Sequence, residues 1–147
     1  MKIILAQCAS YCSLETDENF KVLAKGLRRA GHRTDLLIIP PLGDGFEALM
    51  AAASHRLVNL RSFCDVLICL DRVACLLPHG RKFAFLSKQE PLPTDTYAPT
   101  EETYLTKLIE AGIEEAESLR LPILSKKNGQ SPSSSSIDVT PLLRKLK

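Results

Sequence analysis

Short apolar runs alternate with amphipathic segments along most of the chain. The runs at 2–6, 35–39 and 65–70 consist mainly of aliphatic residues, which is typical of strands buried on both faces of a parallel sheet. Between the first two runs, apolar residues recur with the helical spacing i, i+3, i+4, i+7 at Phe20, Leu23, Ala24 and Leu27. This spacing predicts a helix over 16–30, with Thr16 as its N-cap and Gly31 as the glycine that ends it.

The same alternation continues through the middle of the chain. Six apolar residues of the segment 45–63 have helical spacing and are expected to share one buried face: Phe46, Leu49, Met50, Ala53, Leu57 and Leu60. A fourth strand is expected at 82–86, a further helix from about residue 100, and a fifth strand at 121–124. The pattern predicts an α/β fold, a Rossmann-like parallel sheet of four to five strands with helices on both faces.

The pattern also divides the chain into three parts. Residues 1–124 are expected to form one Rossmann-like domain. Residues 125–136 include a run of serines, which predicts a flexible linker. Residues 137–147 carry Leu142, Leu143 and Leu146 followed by basic residues, and Thr140-Pro141 resembles an N-cap with proline at N1. We therefore expect a short basic amphipathic helix at 137–147, which needs a surface to dock on because so short a helix is marginal alone.

Charge and cysteine content narrow the classes of function. The 147 residues include 19 basic and 17 acidic side chains, a formal net charge of +2, and such a balance argues against a dedicated nucleic-acid binder. The five cysteines form no CxxC pair, so we expect reduced thiols in a cytoplasmic protein and no metal site. The apolar runs are shorter than the roughly 20 residues that span a bilayer. We therefore expect no transmembrane segment, and leave peripheral membrane contact open.

Candidate ligand contacts follow the strands, because open parallel sheets bind ligands beyond the carboxyl ends of their strands. The loop after the first strand contains no glycine, so a dinucleotide cofactor held by a glycine-rich loop is not expected. Polar side chains that could contact a ligand follow the first, third and fourth strands: Ser10, Tyr11, Asp71, Arg72, Ser87, Lys88, Gln89 and Glu90. Asp71 and Arg72 could equally form a surface ion pair or a helix cap, and 87–90 could be a solvated loop.

One further spacing has a catalytic counterpart. Cys75 and Arg81 are separated by five residues, as in the C-x5-R loops of cysteine-dependent phosphatases, where a thiolate attacks a bound phosphate. The segment after Arg81 has the pattern of a strand, whereas a phosphatase loop leads into a helix whose N-terminus binds the anion. A buried, inert Cys75 is the simpler interpretation. His79 lies between Pro78 and Gly80 and is expected to be a turn residue.

Three stretches together resemble a known family. They are LAKGLRRAGH at 23–32, DVLIC at 65–69 and LLPHGRKFAFLSKQ at 76–89, and they are similar to the N-terminal domain of retaining GT-B glycosyltransferases of family 4. The resemblance extends from residue 1 to about residue 119. It implies an acceptor-side half that binds a sugar-containing acceptor and works with a second domain or subunit that binds the nucleotide-sugar.

The chain departs from that family at four places. Residues 9–12 replace the glycine-rich loop, and Asp71-Arg72 stands where family members often have Phe-Pro or a histidine. Lys88 replaces the family's histidine, and the glutamates at 110–117 do not have the spacing of the two-glutamate motif of the donor-binding half. Three hypotheses follow. The chain is the acceptor-side half of a truncated or split glycosyltransferase, inactive without its donor-binding partner; or it is an inert Rossmann-like module that binds a ligand or a protein; or it is a small phosphatase.

Overall fold

A computed structural model describes residues 1–9, 14–86, 99–119, 123–124 and 136–147. Along the chain the elements are β1 Lys2–Cys8, α1 Leu14–Arg29, β2 Arg33–Ile39, α2 Gly45–His55, β3 Val66–Cys69, a 3-10 turn Ala74–Leu76, β4 Lys82–Ala84, α3 Pro99–Glu114, β5 Glu117–Ser118, β6 Ile123–Leu124, β7 Ser136–Ile137 and α4 Thr140–Leu146.

Five of the described strands form one parallel sheet in the order β2-β1-β3-β4-β5. The parallel strands are joined through helices or, between β3 and β4, through the 3-10 turn. This confirms the predicted α/β fold with a Rossmann-like parallel sheet. The strands β6 and β7 pair antiparallel in a separate two-stranded sheet.

Two hydrophobic clusters form the core, and they take alternate residues of β1. One cluster includes Ile3 and Leu5 together with residues of α1 and α4. The other includes Ile4 and Ala6 together with residues of α2 and α3. Because successive side chains of a strand point to opposite faces of a sheet, every residue from Ile3 to Ala6 is buried. This explains why the first strand has a continuous apolar sequence.

The fifth strand and the second helix differ from the prediction. The fifth strand of the parallel sheet is Glu117–Ser118, whereas Ile123–Leu124 belongs to the antiparallel pair. Helix α2 ends at His55, eight residues before the predicted end, because the N–H groups of Leu57 and Val58 turn back to carbonyls three residues earlier.

The predicted apolar face of the segment 45–63 is confirmed only in part, because Leu60 is buried and Leu49 packs against the core, whereas other members of that face are exposed. Phe46 is 66% exposed and Met50 56% exposed, whereas Ala48 and Ala52 are fully buried. Small alanine side chains allow a helix to approach its neighbours closely, and Phe46 and Met50 lie on the outer side.

Two helix starts also differ from the prediction. Helix α1 begins at Leu14, two residues before the expected cap at Thr16. Helix α4 begins at Thr140, and the carboxylate of Asp138 accepts the N–H of Thr140 at 2.9 Å. The predicted helix near the end of the chain is present, and its Leu142 and Leu146 are buried in the cluster that contains α1. None of the helices in the described ranges has the length and hydropathy needed to cross a membrane.

Candidate functional site

The strand order places a topological switch point between β1 and β3. From the end of β1 the chain leads to β2 on one side of it, while β3 lies on the other side. In sheets of this order, the loops that follow the two central strands diverge and leave a crevice at the carboxyl edge. Residues that follow Cys8 and Cys69 therefore lie where such folds bind ligands.

Asp71 ties the ends of these two strands together. Its side chain is largely buried, with the residue 8% exposed. One carboxylate oxygen, Oδ2, accepts the backbone N–H of Cys8 at 2.6 Å, and the other, Oδ1, accepts the N–H of Ala74 at 2.7 Å. Charge-assisted hydrogen bonds of this kind are stronger than neutral ones. Asp71 thus joins β1 to the turn after β3 and caps the 3-10 turn, as one of the sequence alternatives proposed.

The neighbouring Arg72 has no such partner. The residue is half-buried, and its Nε is a buried atom for which the structure provides no hydrogen-bond acceptor. The two oxygens of Asp71 are directed at backbone N–H groups instead. In the described part of the chain, therefore, Arg72 does not form the ion pair with Asp71 that the sequence suggested as an alternative.

The other candidate residues of the sequence analysis lie outside the described residues. They are Ser10, Tyr11, Ser87, Lys88, Gln89 and Glu90. Of the eight candidates, the structure therefore places Asp71 and Arg72 at the carboxyl edge. Within the described ranges, no group of three His, Cys, Asp or Glu side chains is positioned to hold a metal ion.

Cys75 lies in the 3-10 turn and is fully buried. Its thiol is close to that of Cys69, and the hydrogen bond between the two thiols together with burial raises the pKa of Cys69. The guanidinium of Arg81 donates to the carbonyl of Lys145 at 3.0 Å. A phosphatase needs an accessible thiolate beside an arginine that is available to phosphate, so this geometry gives the phosphatase hypothesis no support.

His79 holds the turn before β4. Its Nδ1 accepts the backbone N–H of Arg81 at 3.0 Å, and its Nε2 lies 3.1 Å from the carbonyl oxygen of Cys64. With Nδ1 as acceptor, Nε2 carries the proton that is donated to Cys64. Both ring nitrogens thus bind backbone atoms, as expected for a turn residue.

A charged cluster at the opposite, amino edge of the sheet was not predicted. Lys82, at the start of β4, has a fully buried side chain whose Nζ donates to the carbonyls of Cys75 at 2.9 Å and Leu77 at 3.1 Å. Nζ also lies 3.5 Å from Oε2 of Glu115, a residue that forms a two-pronged ion pair with Arg56. The hydrogen bonds and charge of Arg56 lower the pKa of Glu115 to about 2.

An open pocket of about 570 Å³ borders this ion pair and is lined by Arg56, Glu115, Arg61, His79 and their neighbours. The ion pair and the backbone contacts of His79 and Lys82 explain the polar character of this edge without a ligand. The only sequence signal for the cluster is the single lysine at the start of an apolar run, Lys82.

Fold and switch point together define the class of this protein as a Rossmann-like α/β domain with a candidate binding site at the carboxyl edge of a parallel sheet. Comparison with protein-family models, with curated proteins and with solved structures gave no match.

Proposed function

We propose that this chain is the acceptor-side half of a glycosyltransferase similar to family 4. In this proposal it binds a sugar-containing acceptor, and a second domain or subunit supplies the nucleotide-sugar. The resemblance at 65–69 and 76–89 supports the proposal, because these stretches contain β3 and β4, which are neighbours in the sheet with Leu67 opposite Lys82. Both strands end at the carboxyl edge, where an acceptor site is expected.

The observation that carries the proposal is the buried Nε of Arg72, which has no acceptor among the described residues, beside an Asp71 whose two carboxylate oxygens each accept a backbone N–H. A rigid turn holds the arginine backbone, since Asp71 binds the N–H groups of Cys8 and Ala74. Binding sites commonly place a few polar groups on loops that a rigid scaffold positions. In the proposed enzyme Asp71 is a positioning residue, and Arg72 donates hydrogen bonds to the acceptor.

The residues of this chain would orient the acceptor toward a sugar that is held by the partner domain. Holding two reactants in the correct geometry lowers the entropic part of the barrier, and this is the contribution that a binding half can make. The acceptor hydroxyl then attacks the anomeric carbon, and the bond from that carbon to the nucleotide phosphate breaks. A basic group of the assembled site accepts the hydroxyl proton.

The test is sugar transfer by the protein isolated from its source through a tag on its own gene, together with whatever chains it associates with. Isolated material is incubated with radiolabelled UDP-glucose, UDP-N-acetylglucosamine, GDP-mannose or dTDP-rhamnose and an extract of the source membranes. We expect labelled product with at least one donor, and about tenfold less with Arg72→Gln, because one lost charge-assisted contact weakens binding by that order. Arg61→Gln, at the opposite edge, serves as the matched control.

Absence of transfer from all four donors would overturn the proposal. The second hypothesis, a binding module without catalysis, rests on the same Arg72. An arginine whose Nε has no acceptor among the described residues fits a binding site without catalysis equally well. It predicts saturable binding of a ligand at the carboxyl edge with no transfer from any donor.

A further inference from the structure

Two cations of this chain are removed from water to a large degree, and they differ in their partners. Lys82 has two backbone carbonyls and a carboxylate around its Nζ. Arg72 has a buried Nε with no acceptor among the described residues. Desolvated donors are costly when they are not hydrogen-bonded, and a desolvated charge costs more. The Nε itself is closed to solvent, so an acceptor from outside the described residues would approach the terminal nitrogens of this half-buried guanidinium.

No carboxylate of the described residues forms an ion pair with Arg72. Its sequence neighbour Asp71 accepts a backbone N–H on each carboxylate oxygen. The carboxylates of Glu115 and Asp65 lie at the other edge of the sheet, where Glu115 pairs with Arg56 and Asp65 accepts the N–H of Lys2. Within the described residues, the half-buried guanidinium of Arg72 therefore forms no ion pair.

Guanidinium groups have a planar fork of N–H donors that matches the oxygens of a carboxylate or phosphate better than it matches a single hydroxyl. We infer that Arg72 binds an oxyanion, a phosphate or carboxylate carried by the ligand of this site. This inference rests on the proposed function and deepens it, because it assigns the acceptor to the class of anionic sugars and sugar phosphates. A neutral sugar would leave the charge of Arg72 uncompensated.

The experiment observes Arg72 directly by NMR spectroscopy of the ¹⁵N-labelled full chain. The Nε–H signal of Arg72 is assigned by its loss in Arg72→Gln. Inorganic phosphate, methyl phosphate, acetate and glucose are then titrated separately at constant ionic strength, since screening by salt alone changes the field at a charged group. We expect a saturable shift of the Arg72 Nε–H with phosphate, methyl phosphate or acetate, and no shift with glucose.

Two variants locate the response. The backbone N–H of Ala74, two residues away and bonded to Asp71, should shift with the same anion in the wild type, and the apparent affinity should fall at least about tenfold in Arg72→Gln. Arg72→Lys keeps the charge without the fork and should lie between the two. Arg61→Gln is the control, because this exposed arginine lies before β3 at the other edge, and it should leave the response unchanged.

A shift with glucose alone, a shift of equal size with sodium chloride, or no shift of the wild-type Nε–H with any anion would overturn the inference. The signal can be assigned with either Arg72→Gln or Arg72→Lys, both of which lack this Nε–H, and the titration itself uses the wild-type chain and no donor sugar. Anion binding without transfer would remove the glycosyltransferase proposal and keep the anion site. Conversely, transfer to a neutral acceptor without anion binding would keep the enzyme and remove the anion site.

Discussion

Replacing the buried Lys82 with methionine tests the charged cluster at the amino edge. The methionine side chain has a similar length and no donor, so the carbonyls of Cys75 and Leu77 each lose the hydrogen bond from Nζ. Hydrogen bonds from charged groups contribute about 1.5–3 kcal/mol each, and a buried carbonyl left without a donor costs about 1–3 kcal/mol.

Two smaller contributions to the free energy of unfolding must be weighed against this loss. The contact with Glu115 contributes at most about 1 kcal/mol, because that carboxylate is 44% exposed and keeps its pairing with Arg56. Removal of a desolvated ammonium is favourable, and replacement of a whole buried ion pair by apolar residues is often neutral. Here, however, the principal partners are backbone carbonyls, which no substitution removes.

The loss of hydrogen bonds therefore outweighs the gain from desolvation, and we expect Lys82→Met to lower the free energy of unfolding by about 2–4 kcal/mol. For a chain of this length, that corresponds to a fall in Tm of roughly 10 °C. Urea unfolding followed by circular dichroism measures the difference, with Lys107→Met, an exposed lysine of α3, as control. A Lys82→Met variant within about 0.5 kcal/mol of wild type, the range of ordinary surface substitutions, would refute the reasoning.

Three more predictions concern single contacts. The pKa of Glu115 in the folded chain is about 2, below the ordinary value of 4.5. Its pairing with Arg56 therefore stabilises the fold above pH 4.5, and this contribution is lost as the pH falls toward 2. In urea unfolding, the difference between wild type and Glu115→Gln should shrink over that window. Gly112→Ala should destabilise the chain by more than about 1 kcal/mol, because a Cβ there would lie 2.1 Å from the carbonyl oxygen of Cys75. The cost of this overpacking against backbone exceeds the gain in helix propensity, which is about 1 kcal/mol. A more stable alanine variant in thermal unfolding would contradict this. Asp71→Ala should lower the free energy of unfolding by about 2–4 kcal/mol, because two charge-assisted hydrogen bonds are lost. Asp71→Asn keeps one acceptor and should lower it by about half as much. Equal urea midpoints for the two variants would contradict the geometry.

The strands were predictable where burial is continuous. β1 and β3 lie inside the sheet and every side chain from Ile3 to Ala6 and from Val66 to Cys69 is buried, so their sequences are uniformly apolar. β5 could not be found in the same way, because Glu117 and Ser118 are both exposed at the edge of the sheet. Their strand conformation depends on pairing with β4, and the local sequence pattern does not reveal which distant strand they pair with.

The face of α2 shows a second limit of sequence patterns. Helical spacing identified apolar positions correctly but assumed that the largest of them face the core. The structure buries Ala48 and Ala52 and leaves Phe46 and Met50 largely exposed. A hydrophobic pattern counts apolar residues and does not measure how closely two elements approach, so it cannot distinguish a core of alanines from a face of larger side chains.

At the candidate site, the sequence located the residues but not their roles. The position of Asp71 and Arg72 after a buried strand was sufficient to place them at the carboxyl edge. Which of the two is structural depends on N–H groups that come from Cys8, 63 residues away, and from Ala74. Such long-range partners are set by the sheet order, and sequence spacing alone left ion pair, helix cap and ligand contact as equal alternatives.

The comparison of Arg72 with Lys82 then separates a structural cation from a candidate functional one. Both are buried at least in part, and a folded chain gains stability by supplying acceptors to desolvated charges, as it does for Lys82 with two carbonyls and a carboxylate. Arg72 lies on a turn that is equally well fixed, yet the part of the chain that the structure describes provides no acceptor for its buried Nε. Proteins retain such locally unfavourable arrangements chiefly where binding requires them. The contrast between two cations of one chain, more than the exposure of either, is therefore the reason to look for a ligand at the carboxyl edge.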